Sequence, residues 1–342
     1  MASVTFTFPS AMELQAIEQQ LLPTLTSGPD VNPVFGIFPE VNKDTPLVMW
    51  EQMDNFGGMQ QPRGYNGKPN LVKAIGSKWY QMQPGVYGEH MTIEEREVTI
   101  SRKFGTTNEP VDVSDLTVLR GNQLLHRQLK RRAWLGWQLL AKGYFVVTDA
   151  YGVLQHADSY TQRVFTASVS WATVASATPL ADFRAIRPYA RGYSISFGRM
   201  STAYANNTTI RYMLNNSNSA DLGGKRRDVG ATFNSLSDMN EIFAANDCPK
   251  VVEWDGIWQD ESGNNTLDIA DNVVIVKGVR LDMAPVGNWV NTRNANNPGC
   301  APGPYYQVFQ PFQAVPPTVE VHRGVNGGHA LYFPSAIVVM NV

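Results

Sequence analysis

Three features of the sequence predict an α+β fold. One helical pattern of unusual length runs from Ser114 to Lys142, with capping residues at both ends. Short β-patterned runs stand before and after it, and the last of them, Ala330 to Met340, is strongly apolar. A polar, Gly-rich stretch from Leu47 to Met82 is centred on Asn66-Gly67, a hairpin-turn dipeptide. Together they describe sheets built around one long helix, with a ribbon leaving the body.

Residues 12–22 (MELQAIEQQLL) predict a short amphipathic helix. Thr24 to Lys43 carries Gly28-Pro29 and Pro33 and no clear period, so it reads as an irregular arm that needs a surface to lie on. The flanks of Asn66-Gly67 hold too few apolar residues to bury a face. They predict a two-stranded ribbon that rests on something outside itself, because an isolated hairpin is marginal in water. After Pro84-Gly85, Val86 to Phe104 alternates, most clearly over Thr92 to Ile100, and predicts a half-exposed strand. Asp112 or Ser114 can cap the long helix and Gly143 can end it. Val118, Leu125, Leu129, Ala133, Trp137 and Leu140 form its buried stripe, with Arg120, Arg127, Lys130 and Arg131 largely off it. Its length is about 43 Å. The basic run Arg127 to Arg132 fits a solvated face or inter-subunit ion pairs better than a nucleic-acid groove, because the chain as a whole is slightly acidic.

Strands are expected at Tyr144–Asp149, Val153–His156 and Val164–Ala172, with a turn at Tyr151-Gly152. Pro179 suits the first turn of a helix. Val251 to Trp258 reads as a hairpin about Asp255-Gly256, and Asn272 to Val276 as a buried strand. Val286 to Pro304 reads as polar loop, and Gly324, Gly327 and Gly328 as a turn before the last strand. That strand must be buried in a sheet, beside the strands that follow the long helix. Residues 178–300 would then be an inserted second lobe. No internal repeat is visible.

A chain of 342 residues exceeds what one core usually serves, so two or three lobes are expected. Net charge is -2, which argues against a face that wraps nucleic acid broadly. Charged residues are only 17%, as in chains that hide surface against other subunits. Cys248 and Cys300 do not make a disulfide framework and are expected as small core residues in a reducing compartment. Met1 to Ser10 lacks the pattern of a signal peptide, and no apolar run approaches a membrane span. The motifs HExxH, CxxC and GxSxG are absent. Gly223-Gly224-Lys225-Arg226 lacks the Ser or Thr and the earlier glycine of a phosphate loop. His90, His126, His156, His322 and His329 are scattered without metal-ligand spacing. Glu94, Glu95 and Glu97 read as an exposed strand face. No catalytic, cofactor or metal residue is expected, and the chain is read as a non-enzyme.

An arm, an outreaching ribbon, a long helix and a low-charge surface suit a subunit built to be tiled. The order of elements resembles the phage major capsid protein E family, the lambda-type branch of tailed-bacteriophage coat proteins with the HK97-like fold. The similar patterns are Phe56-Gly57-Gly58 running to Pro84-Gly85 and Ile93, and Leu124-Leu125 to Gly143 followed at once by a strand. Trp171 before Thr178-Pro179-Leu180-Ala181-Asp182, Asn272-Val273-Val274 to Lys277-Gly278, and Phe333-Pro334-Ser335-Ala336 are further ones. The likeness covers nearly the whole chain as an order of features.

The resemblance implies an N-terminal arm (1–46), an extended β-hairpin loop (47–85) and a peripheral domain (86–177) with a spine helix (114–142). It implies an axial domain (178–300) and a return to the peripheral domain (301–342). It implies a major capsid (head) protein that self-assembles into hexamers and pentamers of an icosahedral virion shell around double-stranded DNA, assembled in the bacterial host cytoplasm. Partners would be further copies, a separate scaffolding protein, a portal and a decoration (cement) protein, with weak DNA contact and no membrane. Asn66, Gly67, Lys68 and Trp79 would serve the subunit interface. Lys68, Lys73 and Lys78 with Asn341 would permit the crosslinking seen in some members of the fold, whereas the lambda-type branch relies on decoration proteins. Alternatives are an encapsulin-type nanocompartment shell and a surface carbohydrate-binding β-protein.

Overall fold

The computed structural model describes residues 11–26, 32–52, 59–69, 71, 78–100, 109, 112–148, 151–216, 235–259, 263–310 and 318–342. Phe56-Gly57-Gly58, Lys73, Phe104 and Gly223–Arg226 lie outside them.

Helix α1 (Ala11–Thr26) contains the predicted segment and runs past it at both ends. The expected arm is in part structured. Asn32 Oδ1 accepts from Val34 N (3.1 Å), and α2 (Val34–Ile37) and β1 (Glu40–Asn42) follow. Val34, Ile37 and Phe38 are buried in the main core, so this stretch lies on its own subunit. Strands β2 (Val48–Gln52) and β3 (Lys78–Met82) pair antiparallel, from Val48↔Met82 to Gln52↔Lys78, and form the root of the ribbon. Residues 59–69 are exposed throughout. Their turn closes through Gly67 N to Gly64 O (3.0 Å) and is centred on Tyr65-Asn66, one residue before the expected dipeptide. Neither Asn66 nor Gly67 has positive φ, so the predicted primed turn is not formed.

Strand β4 (Gly85–Ile93) stops earlier than expected, and Glu95–Ile100 is a short helix, α3. Glu94 O accepts from Glu97 N and Val98 N, Glu97 pairs with Arg120, and Val98 packs with Ile93, Val113 and Leu116. Packing overrides the β-like alternation here. Helix α4 (Val113–Lys142) is the spine. Asp112 accepts from Ser114 N (3.3 Å), and Gly143 ends the helix in the left-handed region (φ 77°). The predicted stripe is buried, with Val118 half-buried. From Leu135 to Leu140 the helix is buried on every side, because two sheets meet there.

Beyond the spine come β5 (Tyr144–Thr148), β6 (Leu154–Ser159), β7 (Arg163–Thr166), α5 (Pro179–Ala185), β8 (Ile195–Ser196), β9 (Thr202–Ala205), α6 (Asn207–Leu214) and α7 (Leu236–Ala245). Then follow β10 (Lys250–Glu253), β11 (Ile257–Gln259), β12 (Asn265–Leu267), β13 (Val273–Lys277), β14 (Val279–Arg280), β15 (Gly287–Asn291), β16 (Tyr305–Phe309), β17 (Val319–Leu331) and β18 (Ile337–Asn341). One five-stranded sheet is ordered β1-β15-β17-β16, with β4 along the other edge of β17. The other is ordered β10-β9-β13-β18-β7.

Several expectations are corrected. Strands β10 and β11 do not pair with each other: β10 runs parallel to β9, and β11 pairs with β12. Asp255-Gly256 instead serves close packing. Asp255 Oδ1 accepts from Asn207 N (2.9 Å) at the start of α6, and a Cβ at Gly256 would stand 2.3 Å from Asp268 Oδ2. The polar stretch Val286–Pro304 holds β15, whose Trp289, Val290 and Asn291 are buried. Gly324, Gly327 and Gly328 lie inside β17. A Cβ at Gly324 would meet Tyr87 O at 2.4 Å, and one at Gly327 would meet Val290 O at 2.6 Å. These glycines allow close strand approach and make no turn.

The closing apolar run is two strands, because β17 ends at Leu331 and a single 3-10 turn, Pro334–Ala336, precedes β18. Strand β18 lies parallel to β7, which follows the spine as expected, and antiparallel to β13. Strand β15 in turn joins the sheet of β4, β16 and β17. Cys248 is buried but Cys300 is exposed at a 3-10 turn, so only one is a core residue.

Candidate functional site

The ribbon has an anchored root and an uncovered far end. Trp50 stacks on Tyr80 across the ladder (5.8 Å, 14°) and meets Tyr160 (6.3 Å) and the edge of Tyr332 (5.3 Å). Alternation puts Met49 and Trp79 on the opposite face, 54% and 68% exposed. Further out, Asn66, Gly67 and Lys68 are exposed in and beside the turn, as are Met59, Tyr65 and Leu71. Large apolar groups so displayed on a segment with no core of its own are characteristic of an interaction surface.

Beneath the ribbon root, Tyr160 Oη donates to Asp158 Oδ2 (3.0 Å). Burial pushes the Asp158 carboxyl up to about 6.

The spine's basic residues have separate fates. Arg120 pairs with Glu97 and donates to Gln123 Oε1 (2.9 Å). Arg127 forks onto Glu89, with Nε to Oε2 at 2.5 Å and Nη2 to Oε1 at 2.8 Å. That fork holds the Glu89 carboxyl below its ordinary value, and Arg131 adds to the effect. Lys130 and Arg131 are exposed and have no ion-pair partner among the described residues. Arg131 lies over the Trp134 ring (5.3 Å). Arg132, the last of the basic run, is buried, which the sequence pattern did not indicate. It donates to Glu40 Oε2 (2.6 Å) and Phe38 O (3.1 Å) and lies between the rings of Phe35 and Trp289. Asn291 Nδ2 donates to Glu40 Oε1 (2.6 Å) and Asn42 Oδ1 (2.8 Å). This network ties the arm, the spine and β15 together, and no motif marked Glu40 or Asn291.

A cavity of about 220 Å³ opens between the spine and the sheet of β4 and β17. Arg127, Arg131, Arg132 and Arg323 line it, along with Tyr87, Glu89 and Trp289.

The histidines are less scattered than their spacing suggests. His90 and His322 are register partners on β4 and β17, with rings stacked at 5.0 Å. His156 and His329 approach the buried centre together, His156 accepting or donating at Nδ1 with Tyr87 Oη (2.5 Å) and His329 Nε2 donating to Arg132 O (2.8 Å). Burial lowers His156 to about 4 and His329 to about 3, so both are neutral at pH 7. No group of three or more His, Cys, Asp or Glu side chains is placed to hold a metal ion among the described residues. Burial pushes the Cys248 thiol up to about 11, which suppresses its thiolate. Glu97, expected on a strand face, is instead an ion-pair partner on α3.

No protein-family model matches the chain, and no curated protein matches it in sequence. Its fold does match solved structures from end to end. The chain has the α+β HK97-like fold of phage capsid subunits. A crystal structure assigned as the capsid protein of an E. coli CFT073 prophage aligns with a TM-score of 0.59 and 12% identity, covering 95% of this chain and 98% of that one. A phage-related protein from Bordetella bronchiseptica RB50 aligns with a TM-score of 0.57 and 10% identity, covering 94% and 96%. At such identities the shared property is the fold, and at that level the expected resemblance holds.

Proposed function

We propose that the chain is a structural major capsid protein, without enzymatic activity, that assembles into hexamers and pentamers of an icosahedral phage shell around double-stranded DNA. The observation that carries this is the end-to-end match to a protein assigned as a prophage capsid subunit. The exposed ribbon supports it, because Met49, Trp79, Tyr65 and Leu71 stand exposed among the described residues, as a surface that meets another molecule would. In this reading the ribbon is the extended loop and lies over an adjacent copy, with Asn66, Gly67, Lys68 and Trp79 in the contact. The sheet of β4, β15, β16 and β17 with the spine forms the peripheral domain. The sheet of β9, β10 and β13, closed by β7 and β18, forms the base of the axial domain. Scaffolding, portal and decoration proteins complete the shell, which is assembled in the host cytoplasm and is part of the virion.

Sedimentation and negative-stain electron microscopy of the purified chain, alone and with its scaffold, test the proposal. Capsomer rings or shells are expected, and a chain that stays monomeric even with scaffold refutes it. Nucleic acid inside shells purified from infected cells separates a virion from an encapsulin-type compartment, which would hold protein cargo.

A further inference from the structure

The spine's outward face is charged in a pattern. Asp112, Asp115, Leu119, Gln123, His126 and Lys130 recur at three- and four-residue spacing along α4 and share one side of it. All are exposed except Gln123, which is half-buried. Leu119, in the middle of the row, is 51% exposed. Acid therefore stands at one end of this face, base at the other, and an apolar side chain between them. The helix itself accounts for only half of the pattern. Asp112 caps Ser114 N, and Asp115 lies in the first turn, where the macrodipole favours a negative charge. Lys130 does not serve the other end, because it stands about three turns before Lys142, the residue that does. No opposite charge lies three or four residues from Asp115 or Lys130, and neither has an ion-pair partner among the described residues.

We propose that two copies of this chain pair through this face, spine on spine, antiparallel about a two-fold axis. The face is complementary to itself in that direction alone. With the axis between Asn122 and Gln123, Asp115 of one copy opposes Lys130 of the other, and Leu119 opposes His126. Symmetry repeats both pairs. The two ion pairs then lie about 22 Å apart along the helices, at 1.5 Å per residue. A parallel arrangement would set acid on acid and base on base, which like-charge repulsion disfavours. Exposed ion pairs are individually weak and are screened by salt, so the pairing depends on ionic strength and on concentration. It requires only a second copy and does not rest on the capsid reading.

The test is a crosslink that reports the axis. Full-length protein with Gln123→Cys, in a Cys300→Ser background that removes the native exposed thiol, is treated with a short bismaleimide at low salt, and covalent dimer is measured by denaturing electrophoresis. Dimer is expected, because position 123 lies beside the axis. It is expected to fall about tenfold with Asp115→Lys or with Lys130→Glu, since either change makes both ion pairs repulsive. The two changes together recreate a complementary face and are expected to restore the dimer. Salt of about 1 M, where the Debye length is about 3 Å, is expected to abolish it without any charge substitution. Ser237→Cys, exposed on α7, takes the place of Gln123→Cys as the control for random collision. No dimer above that control overturns the pairing, as do single changes without effect. A loss that the double change does not restore also overturns it, and assigns the acidic end to a different basic partner. Electron microscopy of the same preparations separates this inference from the capsid reading. Shells without the crosslink refute the spine contact alone, and crosslinked dimers that form no shells even with scaffold refute the shell and leave the contact standing.

Discussion

Gly121 sits in the interior of the spine, where helix propensity alone predicts that alanine would stabilise by about 1 kcal/mol. Its surroundings reverse the sign. A Cβ built there stands 1.8 Å from Tyr306 Oη, 2.6 Å from Cζ and 2.9 Å from Cε2. Tyr306 is 5% exposed, and its hydroxyl donates to Thr117 O (3.2 Å), so the ring has little room to retreat. Displacing it forfeits that hydrogen bond, about 1 kcal/mol, and overpacks the core at a cost of about 1–3 kcal/mol. Against the propensity gain, Gly121→Ala is expected to destabilise by about 1–3 kcal/mol. Gly36, in α2, is the internal control: it is exposed, its Cβ would meet nothing within 4 Å, and Gly36→Ala is expected to stabilise by up to about 1 kcal/mol. Urea unfolding of the purified subunit measures both. In a Tyr306→Phe background the glycine change is expected to cost less, since the nearest atom is then gone. A Gly121→Ala protein as stable as its parent would refute the packing of β16 on the spine.

Four further outcomes follow from the same geometry. Neutral His156 and His329 have folded values of about 4 and 3 against 6.5 when unfolded, so between those limits the unfolded chain binds the extra protons. The stability they confer is complete above pH 6.5 and is lost as pH falls toward 4 and 3, by at most about 3 kcal/mol for His156; a pH-stability curve flat from 7 to 4 would contradict this. Asp158 works oppositely, because its folded value of about 6 lies above the ordinary 3.8. Its contribution is complete below pH 3.8 and lost as pH rises through 6, so Asp158→Asn should stabilise by about 1–2 kcal/mol at pH 7 and by nothing near pH 3.5, after allowance for partial exposure. Glu40→Gln leaves the Arg132 charge buried without a carboxylate and leaves one amide oxygen where Arg132 and Asn291 each had an acceptor; it is expected to cost about 2–4 kcal/mol in urea unfolding, with Glu40→Gln/Arg132→Met costing less than the single change. Trp79→Ser should leave subunit unfolding unchanged but lower the yield of shells seen by electron microscopy; unaltered assembly would remove the ribbon's exposed face from the proposed interface.

Elements defined by local signals were legible in the sequence. The spine carries its own caps in Asp112 and Gly143, and its buried stripe has a period that only a helix presents to one side. The buried strand at Val273–Lys277 and the helix begun by Pro179 are of the same kind. Elements defined by a distant partner were not. Thr92 to Ile100 alternates like a strand, yet α4 supplies both the apolar contact for Val98 and the charge for Glu97, and neither is visible in that stretch alone. Asp255-Gly256 reads as a turn because the dipeptide is common there, while in the fold its small size and acceptor are used against Asp268 and Asn207. The glycines of β17 mislead for the same reason. They permit the backbone approach of β4 and β15, a requirement that exists only once three strands are side by side.

The polar residues of the site were hidden by their own complementarity. Trp289 and Asn291 sit in a stretch whose composition reads as loop, and Glu40 in one that reads as arm. Each is tolerable inside because another polar group meets it: Trp289 Nε1 donates to Asn291 Oδ1 (2.6 Å), Asn291 to Glu40, and Arg132 to Glu40. A binary pattern scores each of them separately as surface, and the error vanishes only when all are placed together. Arg132 shows the consequence. Read along the helix it is one more charge on a solvated basic face, but its pairing draws it inward and leaves Arg131 exposed. The basic run is thereby converted into the lining of a cavity, which is the feature of this helix that a charge count could not foresee.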